Sequence, residues 1–146
     1  MDLYEEVVQL YLTSFRLCFI LPQPPIKLSG SGEPLKLFDR GAAWEAYPDF
    51  LALDLKSKRL EVVEISKSLD AGRVRRKIEE RSDPQYRSKI QEWIQKTYPE
   101  LGLGRFNIDW HFFVREAVAR QVGQERQDVQ VSTLEDVFRK LGIQMP

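Results

Sequence analysis

The sequence contains one cysteine and no net charge, and these two features exclude some structures and some classes of binding partner. Cys18 is the only cysteine among 146 residues, so the chain forms no internal disulfide, and its apolar neighbours suit a small buried side chain. The 22 basic residues are balanced by 22 acidic ones, which excludes a general electrostatic attraction to nucleic acid or anionic membranes. A nucleic-acid surface on this chain must therefore be a local patch.

Long hydrophobic runs are also missing. No stretch approaches the roughly 18 consecutive apolar residues of a membrane span, and Arg16 interrupts the apolar segment near the N-terminus. The sequence starts with acidic residues, where a secretory signal carries basic ones. Together with the single cysteine, which fits a reducing compartment, these features predict a cytoplasmic protein with no membrane partner.

The length and the spacing of apolar residues predict one α/β domain over residues 1–146, since typical domains have about 100–200 residues. The predicted helices cover 2–20, 73–97 with an interruption at Pro84, and a final segment with capping-box spacing from Ser132 to Gly142. The predicted strands lie near Trp44 and over 49–55, 60–66 and 106–114. Residues 115–130 fit either a helix or a further strand. The sequence therefore indicates a mixed sheet with helices on its faces.

Two acidic residues stand out in the predicted hairpin of residues 49–55 and 60–66. If the connection has an even number of residues, side-chain alternation puts Asp49 and Glu64 at the same end of one otherwise apolar face. An odd connection would put them on opposite faces. A carboxylate on an apolar face costs several kcal/mol unless a partner offsets its lost hydration.

A divalent cation is one such partner for the acidic pair. Two nearby carboxylates form the hard-oxygen site that Mg²⁺ or Mn²⁺ prefers, with waters and a substrate phosphate completing the shell. Such an ion supports phosphodiester hydrolysis by lowering the pKa of bound water. The alternative is a structural ion pair between Glu64 and Arg59, Lys67 or an arginine of the following helix.

Pro48 and Asp49, the hairpin, and Glu64 followed by Lys67 resemble the motif of the PD-(D/E)xK nuclease superfamily. The resemblance covers roughly the first hundred residues. It implies a restriction endonuclease-like core with elements in αβββαβ order, and a Mg²⁺- or Mn²⁺-dependent endonuclease that hydrolyses DNA. In that family the two acids bind the metal and the lysine takes part in the reaction, which implies Asp49 and Glu64 as metal ligands and Asp49, Glu64 and Lys67 as catalytic residues.

The resemblance also implies a third metal-binding acid, and the sequence departs from the family motif at one position. An acid from the first helix often joins the metal site, here Glu6, with Glu5 and Glu45 as alternatives. The family lysine lies two residues after the acid, where this sequence has Ser66. Lys67 is one residue further and is expected on the opposite strand face unless a bulge redirects it. This departure supports a second hypothesis, a catalytically inactive nuclease-like domain that binds nucleic acid or assembles with a protein partner or as a homodimer.

A basic cluster in the helix after residue 73 is the predicted contact with DNA. Its members Arg73, Arg75, Arg76 and Lys77 follow the candidate site in sequence and would hold backbone phosphates. The alternative is an ordinary solvated helix face. His111, the single histidine, falls on the polar side of a predicted half-buried strand, where a surface or hydrogen-bonded position is expected.

Overall fold

The computed structural model describes residues 2–21, 48–101, 106–123 and 127–146, which form an α/β fold around a five-stranded mixed sheet. The helices are α1 (Leu3–Ser14), α2 (Ala71–Arg81), α3 (Pro84–Thr97), α4 (Glu116–Val122) and α5 (Leu134–Leu141), with a short 3-10 turn at Pro99–Leu101. The strands are β1 (Phe19–Leu21), β2 (Phe50–Asp54), β3 (Arg59–Ile65), β4 (Asn107–Val114) and β5 (Val129–Thr133). None of the helices within these ranges combines the length and apolar character that a bilayer span requires.

The strands lie side by side in chain order, from β1 at one edge to β5 at the other. β1, β2 and β3 are antiparallel neighbours, whereas β3, β4 and β5 run parallel. At the tight β2–β3 turn, Oδ1 of Asp54 accepts hydrogen bonds from the N–H groups of Lys56 at 3.0 Å and Ser57 at 3.1 Å. The parallel strands need longer crossover connections, which α2 with α3 and then α4 provide.

Both faces of the sheet are covered by helices, so the described fold has a hydrophobic core on each side. One core packs Leu51, Val62 and Trp110 of the sheet against α2, α3 and α4. The other packs Phe50 and Phe113 against α1 and α5. The prediction that β4 is half-buried is therefore wrong, because its side chains on both faces enter a core from Trp110 onward.

The first helix is shorter than predicted. Its N-cap is Asp2, whose Oδ1 accepts a hydrogen bond from the Glu5 N–H at 2.9 Å, and it ends at Ser14 instead of continuing to residue 20. Leu17 has a positive φ of 55°, a conformation incompatible with continuing the helix, and the chain then enters β1. Cys18 packs into the same core as the buried residues of α1, so the apolar spacing continued beyond the point where the helix stops.

The predicted helical region 73–97 is confirmed as two helices separated at Pro84, which is the first residue of α3. α2 begins earlier than predicted because Asp70 is its N-cap and accepts a hydrogen bond from the Arg73 N–H at 3.2 Å. Val74 and Ile78 form the buried side of α2. The basic residues Arg73, Arg76 and Lys77 lie on another side of the helix, beside the end of β3.

The C-terminal region differs from the prediction in two respects. Residues 115–130 contain both alternatives, a helix (α4) and the start of a strand (β5). Thr133 caps α5, and its Oγ1 accepts a hydrogen bond from the Asp136 N–H at 3.1 Å, whereas Ser132 remains in β5. α5 ends as predicted at Gly142, whose φ of 67° is the left-handed conformation that glycine favours. The strand predicted near Trp44 lies outside the described residues.

Candidate metal and nucleic-acid site

The register between β2 and β3 brings Asp49 and Glu64 to the same end of the sheet. Phe50 pairs with Val63 and Leu51 with Val62, so the same register places Asp49, immediately before β2, opposite Glu64. Leu51 and Val62 belong to the core beneath α2, α3 and α4, and the acids share that face because side chains alternate. The register therefore fulfils the condition under which the two acids lie together.

Glu64 is enclosed, with 1% of its surface exposed, and two cations of α2 approach it. Nζ of Lys77 lies 3.6 Å from Oε2, and Nε of Arg81 lies 3.6 Å from Oε1. Burial raises the pKa of Glu64 to about 8; the Arg81 charge opposes this rise and the Asp49 charge adds to it. The structural alternative of an ion pair with a helix arginine is thus present, whereas Arg59 pairs with Asp109 instead, Nε to Oδ2 at 3.1 Å.

Asp49 is held against the end of β3 and also interacts with α1. Its Oδ2 accepts a hydrogen bond from the Ile65 N–H at 2.7 Å, which fixes the orientation of the carboxylate. Partial burial raises the pKa of Glu5, and the negative charge of Asp49 adds to this rise. Asp49 therefore interacts electrostatically with two other acids, Glu64 of the sheet and Glu5 of the first helix.

The structure distinguishes the two α1 acids that were candidates for a third metal ligand. Glu6 is exposed, whereas Glu5, one residue earlier, is the α1 acid that interacts electrostatically with Asp49. Glu45, the remaining candidate, lies outside the described residues. Within the described ranges, no group of three or more His, Cys, Asp or Glu side chains is arranged to hold a metal ion.

Lys67 turns toward α1 and away from Glu64. Its Nζ lies 3.6 Å from Oδ2 of Asp2 and 5.2 Å from the centroid of the Tyr4 ring. The N–H of Ser66 donates a hydrogen bond to the Phe113 carbonyl at 3.0 Å, which continues the β3–β4 pairing, so no bulge redirects the following lysine. The lysine that does reach Glu64 is Lys77, which comes from the helix, and sequence spacing along the strand could not identify it.

A cleft of about 930 Å³ opens beside these residues, between the end of β3 and α2. Its lining includes five cationic side chains and two acidic ones: Lys67, Arg73, Arg76, Lys77, Arg81, Asp70 and Glu80. Three of the four predicted DNA-binding residues therefore face one cleft. Arg75 does not, because its Nη2 donates a hydrogen bond to the Gln121 carbonyl at 2.9 Å, on the side of α2 that faces α4.

A second polar cluster lies on the opposite face of the sheet and was missed from the sequence. Arg16 Nη1 lies 2.8 Å from Oε1 of Glu61, Oε2 of Glu61 lies 3.2 Å from Nδ1 of His111, and Nε2 of His111 lies 2.7 Å from Oγ of Ser132. Glu61 and His111 are 1% and 2% exposed. Burial alone would raise the pKa of Glu61, but the hydrogen bond and charge of His111, together with Arg16, lower it.

This cluster connects β3, β4 and β5 with the turn that follows α1. A carboxylate can only accept, so Nδ1 of His111 donates the hydrogen bond to Glu61, and Nε2 forms a hydrogen bond with the Ser132 hydroxyl. The network thus gives both ring nitrogens of the buried His111 a partner, while the Arg16 charge lies beside Oε1 of Glu61. One signal was available in the sequence: Val62 and Val63 put β-branched apolar residues on both faces of β3, which is typical of a strand covered on both sides and predicts that Glu61 is buried like Glu64.

No protein-family model matches the chain, and neither the curated proteins nor the solved structures include a significant match.

Proposed function

We propose that this chain is a Mg²⁺- or Mn²⁺-dependent nuclease with a restriction endonuclease-like core, which hydrolyses DNA phosphodiester bonds at Asp49 and Glu64. The observation that carries the proposal is a buried carboxylate, Glu64, which lies beside Asp49 and pairs with two cations, Lys77 and Arg81, that line the cleft. The element order also supports it, since a helix, an antiparallel three-stranded meander, a helical crossover and a parallel strand follow one another in the expected sequence.

The residues present fit a divalent cation in one specific respect. Oε1 of Glu64 is buried and accepts no hydrogen bond from the described residues, so an oxygen ligand is available at the site. Asp49 and Glu64 would hold the ion, and Glu5 is the α1 acid placed to assist them. A bound Mg²⁺ or Mn²⁺ would supply Lewis-acid chemistry and a more acidic bound water.

The side chains around the acids have separate roles in this proposal. Lys77 and Arg81 orient the Glu64 carboxylate and reduce the cost of ionising it. Lys77 is 30% exposed and lines the cleft, so its ammonium also faces an incoming phosphate and can stabilise negative charge that develops during hydrolysis. Arg73 and Arg76 hold the neighbouring backbone phosphates.

The test is cleavage of single-stranded, duplex and branched DNA in the presence of Mn²⁺ or Mg²⁺. We expect Asp49→Asn and Glu64→Gln to remove activity that the unmodified protein has. Glu79→Gln is the matched control, because Glu79 is an exposed acid of α2 that does not line the cleft and its substitution changes the charge equally. Absence of cleavage, or cleavage that survives both substitutions, contradicts the proposal.

A catalytically inactive nuclease-like domain that binds nucleic acid is the second candidate. It is favoured by the absence, among the described residues, of a group of three metal-ligating side chains, and by the two cations that already pair with Glu64. This candidate predicts DNA binding without Mn²⁺ binding. Calorimetric detection of a Mn²⁺ site that is lost in Asp49→Asn would contradict it.

A further inference from the structure

Four of the five cationic side chains that line the cleft come from a single face of α2; the fifth, Lys67, follows β3. Arg73, Arg76, Lys77 and Arg81 follow one another at helical spacing, while Val74 and Ile78 on the other side pack into the core. Arg73, Lys77 and Arg81 are separated by four residues each, which is about 6 Å along the helix axis. Each cation can therefore meet a different phosphate, and together they form a strip only one helix wide.

The two ends of this cationic strip differ in their ionic partners. Lys77 and Arg81 lie beside the Glu64 carboxylate, toward the C-terminal end of α2. Arg73 and Arg76 are exposed, and neither guanidinium forms an ion pair with another residue in the described part of the chain. The N-terminal end of the strip thus keeps its positive charge for a ligand, and the basic and acidic residues of the whole chain balance, so this attraction is local.

The depth of Glu64 favours a flexible ligand. Glu64 is 1% exposed and its neighbours Lys77 and Arg81 line the cleft, so a phosphate approaches this acid by entering the cleft instead of resting on a flat surface. Duplex DNA is a stiff rod with a persistence length of about 150 bp, whereas a single strand can bend into a recess. Leu69, between the lining residues Ser68 and Asp70, is 67% exposed, so an apolar side chain borders the cleft and can pack against an unstacked base.

We infer that the cleft binds a single strand of DNA, an inference that rests on the proposed function. The phosphates of the strand lie along Arg73, Arg76 and Lys77, and an unstacked base packs against Leu69. A strip one helix wide matches one backbone, and a duplex would leave its second strand outside the cationic surface. Double-stranded substrates then react only where a strand is locally separated, such as at a frayed end or a flap.

The test is fluorescence anisotropy with a short labelled DNA strand and with the same strand annealed to its complement, both in EDTA so that no cleavage occurs. We expect the single strand to bind at least about 10-fold more tightly than the duplex. A plot of log K against log[salt] measures the number of phosphate contacts. In Arg73→Gln/Arg76→Gln, the magnitude of its slope should fall by about 1.4, since each lost single-strand phosphate contact removes about 0.7.

Two further variants make the measurement specific. Arg120→Gln/Arg139→Gln carries the same charge change on α4 and α5 and should leave affinity and slope unchanged. Leu69→Ser should weaken single-strand binding without changing the salt slope, because no charge is removed. Equal or tighter duplex binding, or a double variant at Arg73 and Arg76 that behaves like its control, overturns the inference.

The outcome is separable from that of the proposed function. If the single strand binds preferentially but no DNA is cleaved with Mn²⁺, hydrolysis is refuted while the strand preference is supported. If Glu64-dependent cleavage occurs on an intact duplex without preference for a single strand, the nuclease proposal is supported and this inference is refuted.

Discussion

Nζ of Lys77 lies 3.6 Å from Oε2 of Glu64 and donates a hydrogen bond to the Ile65 carbonyl at 3.3 Å. These two contacts join the middle of α2 to the end of β3. The cation that reaches the buried acid therefore comes from a helix, although Lys67 lies only three residues beyond Glu64 in the segment that follows β3. Lys67 pairs with Asp2, the N-cap of α1.

The first prediction distinguishes the two lysines. Lys77→Met should lower the single-turnover rate of Mn²⁺-dependent DNA cleavage about 100-fold or more, because it removes the charge that faces both Glu64 and the cleft. Lys67→Met should leave the rate nearly unchanged, because Lys67 lines the cleft but its ammonium pairs with Asp2 and lies over the Tyr4 ring, away from Glu64. Thermal melts of both variants check folding, and the opposite ranking of the two rates would reject the assignment of Lys77.

The second prediction concerns pH and the stability of the apo protein. Glu64 has a folded pKa of about 8 against an ordinary value of 4.5, so between these pH values the folded state holds a proton that the unfolded state has released. The free energy of unfolding should therefore decrease as pH rises through this window, by several kcal/mol, and the decrease should be complete above about pH 8.

Glu64→Gln provides the comparison for this pH effect, because the amide keeps the shape but does not titrate. Urea denaturation should give similar stabilities for the two proteins near pH 4.5, and the variant should become the more stable one as pH approaches 8. A wild type that gains stability over the variant toward alkaline pH would show instead that Lys77 and Arg81 hold Glu64 ionised.

The third prediction links the same proton to the metal. If Mn²⁺ binds Glu64 below its pKa of about 8, it must displace a proton, so affinity should rise by up to about 10-fold per pH unit toward pH 8. Calorimetry in two buffers with different ionisation enthalpies measures the released proton directly. Asp49→Asn should lose binding and Glu79→Gln should retain it; affinity that does not change with pH would mean that Glu64 is not a ligand.

The alternation of apolar residues predicted the β2–β3 hairpin, and with it the shared face of Asp49 and Glu64, because the period of a strand fixes which side chains point together. It could not predict which cations surround Glu64. Lys77 and Arg81 reach the acid through the packing of α2 against the sheet, and this packing depends on Val74 and Ile78 entering a core shared with all five strands.

The end of the first helix and the burial of β4 were predicted incorrectly for a related reason. Cys18 continues the apolar spacing of α1 but belongs to the turn and strand that follow, since both segments pack into one core. His111 alternates with apolar residues as a solvent-facing residue would, yet α1 and α5 cover that face of the sheet. The spacing of apolar residues along a helix or strand indicates which residues share a face, but not whether that face contacts water or another helix.

The final prediction tests whether the network around Glu61 is structural. Glu61→Gln should lower the free energy of unfolding by about 3 kcal/mol at neutral pH, because it leaves the Arg16 cation without its buried counter-charge. Burial raises the pKa of Glu61, but His111 and Arg16 outweigh it and the net shift is downward, so the stabilisation is present above the ordinary value of 4.5.

The pH dependence of this variant should therefore be opposite to that of Glu64→Gln. As pH falls below 4.5 and the folded carboxyl takes up its proton, the difference between wild type and Glu61→Gln should shrink, because both proteins then carry a neutral side chain at this position. DNA cleavage at neutral pH, measured well below the melting temperature, should persist in Glu61→Gln, since its contacts lie on the α1 and α5 face. A variant that is fully stable but inactive would instead assign the network a part in the reaction.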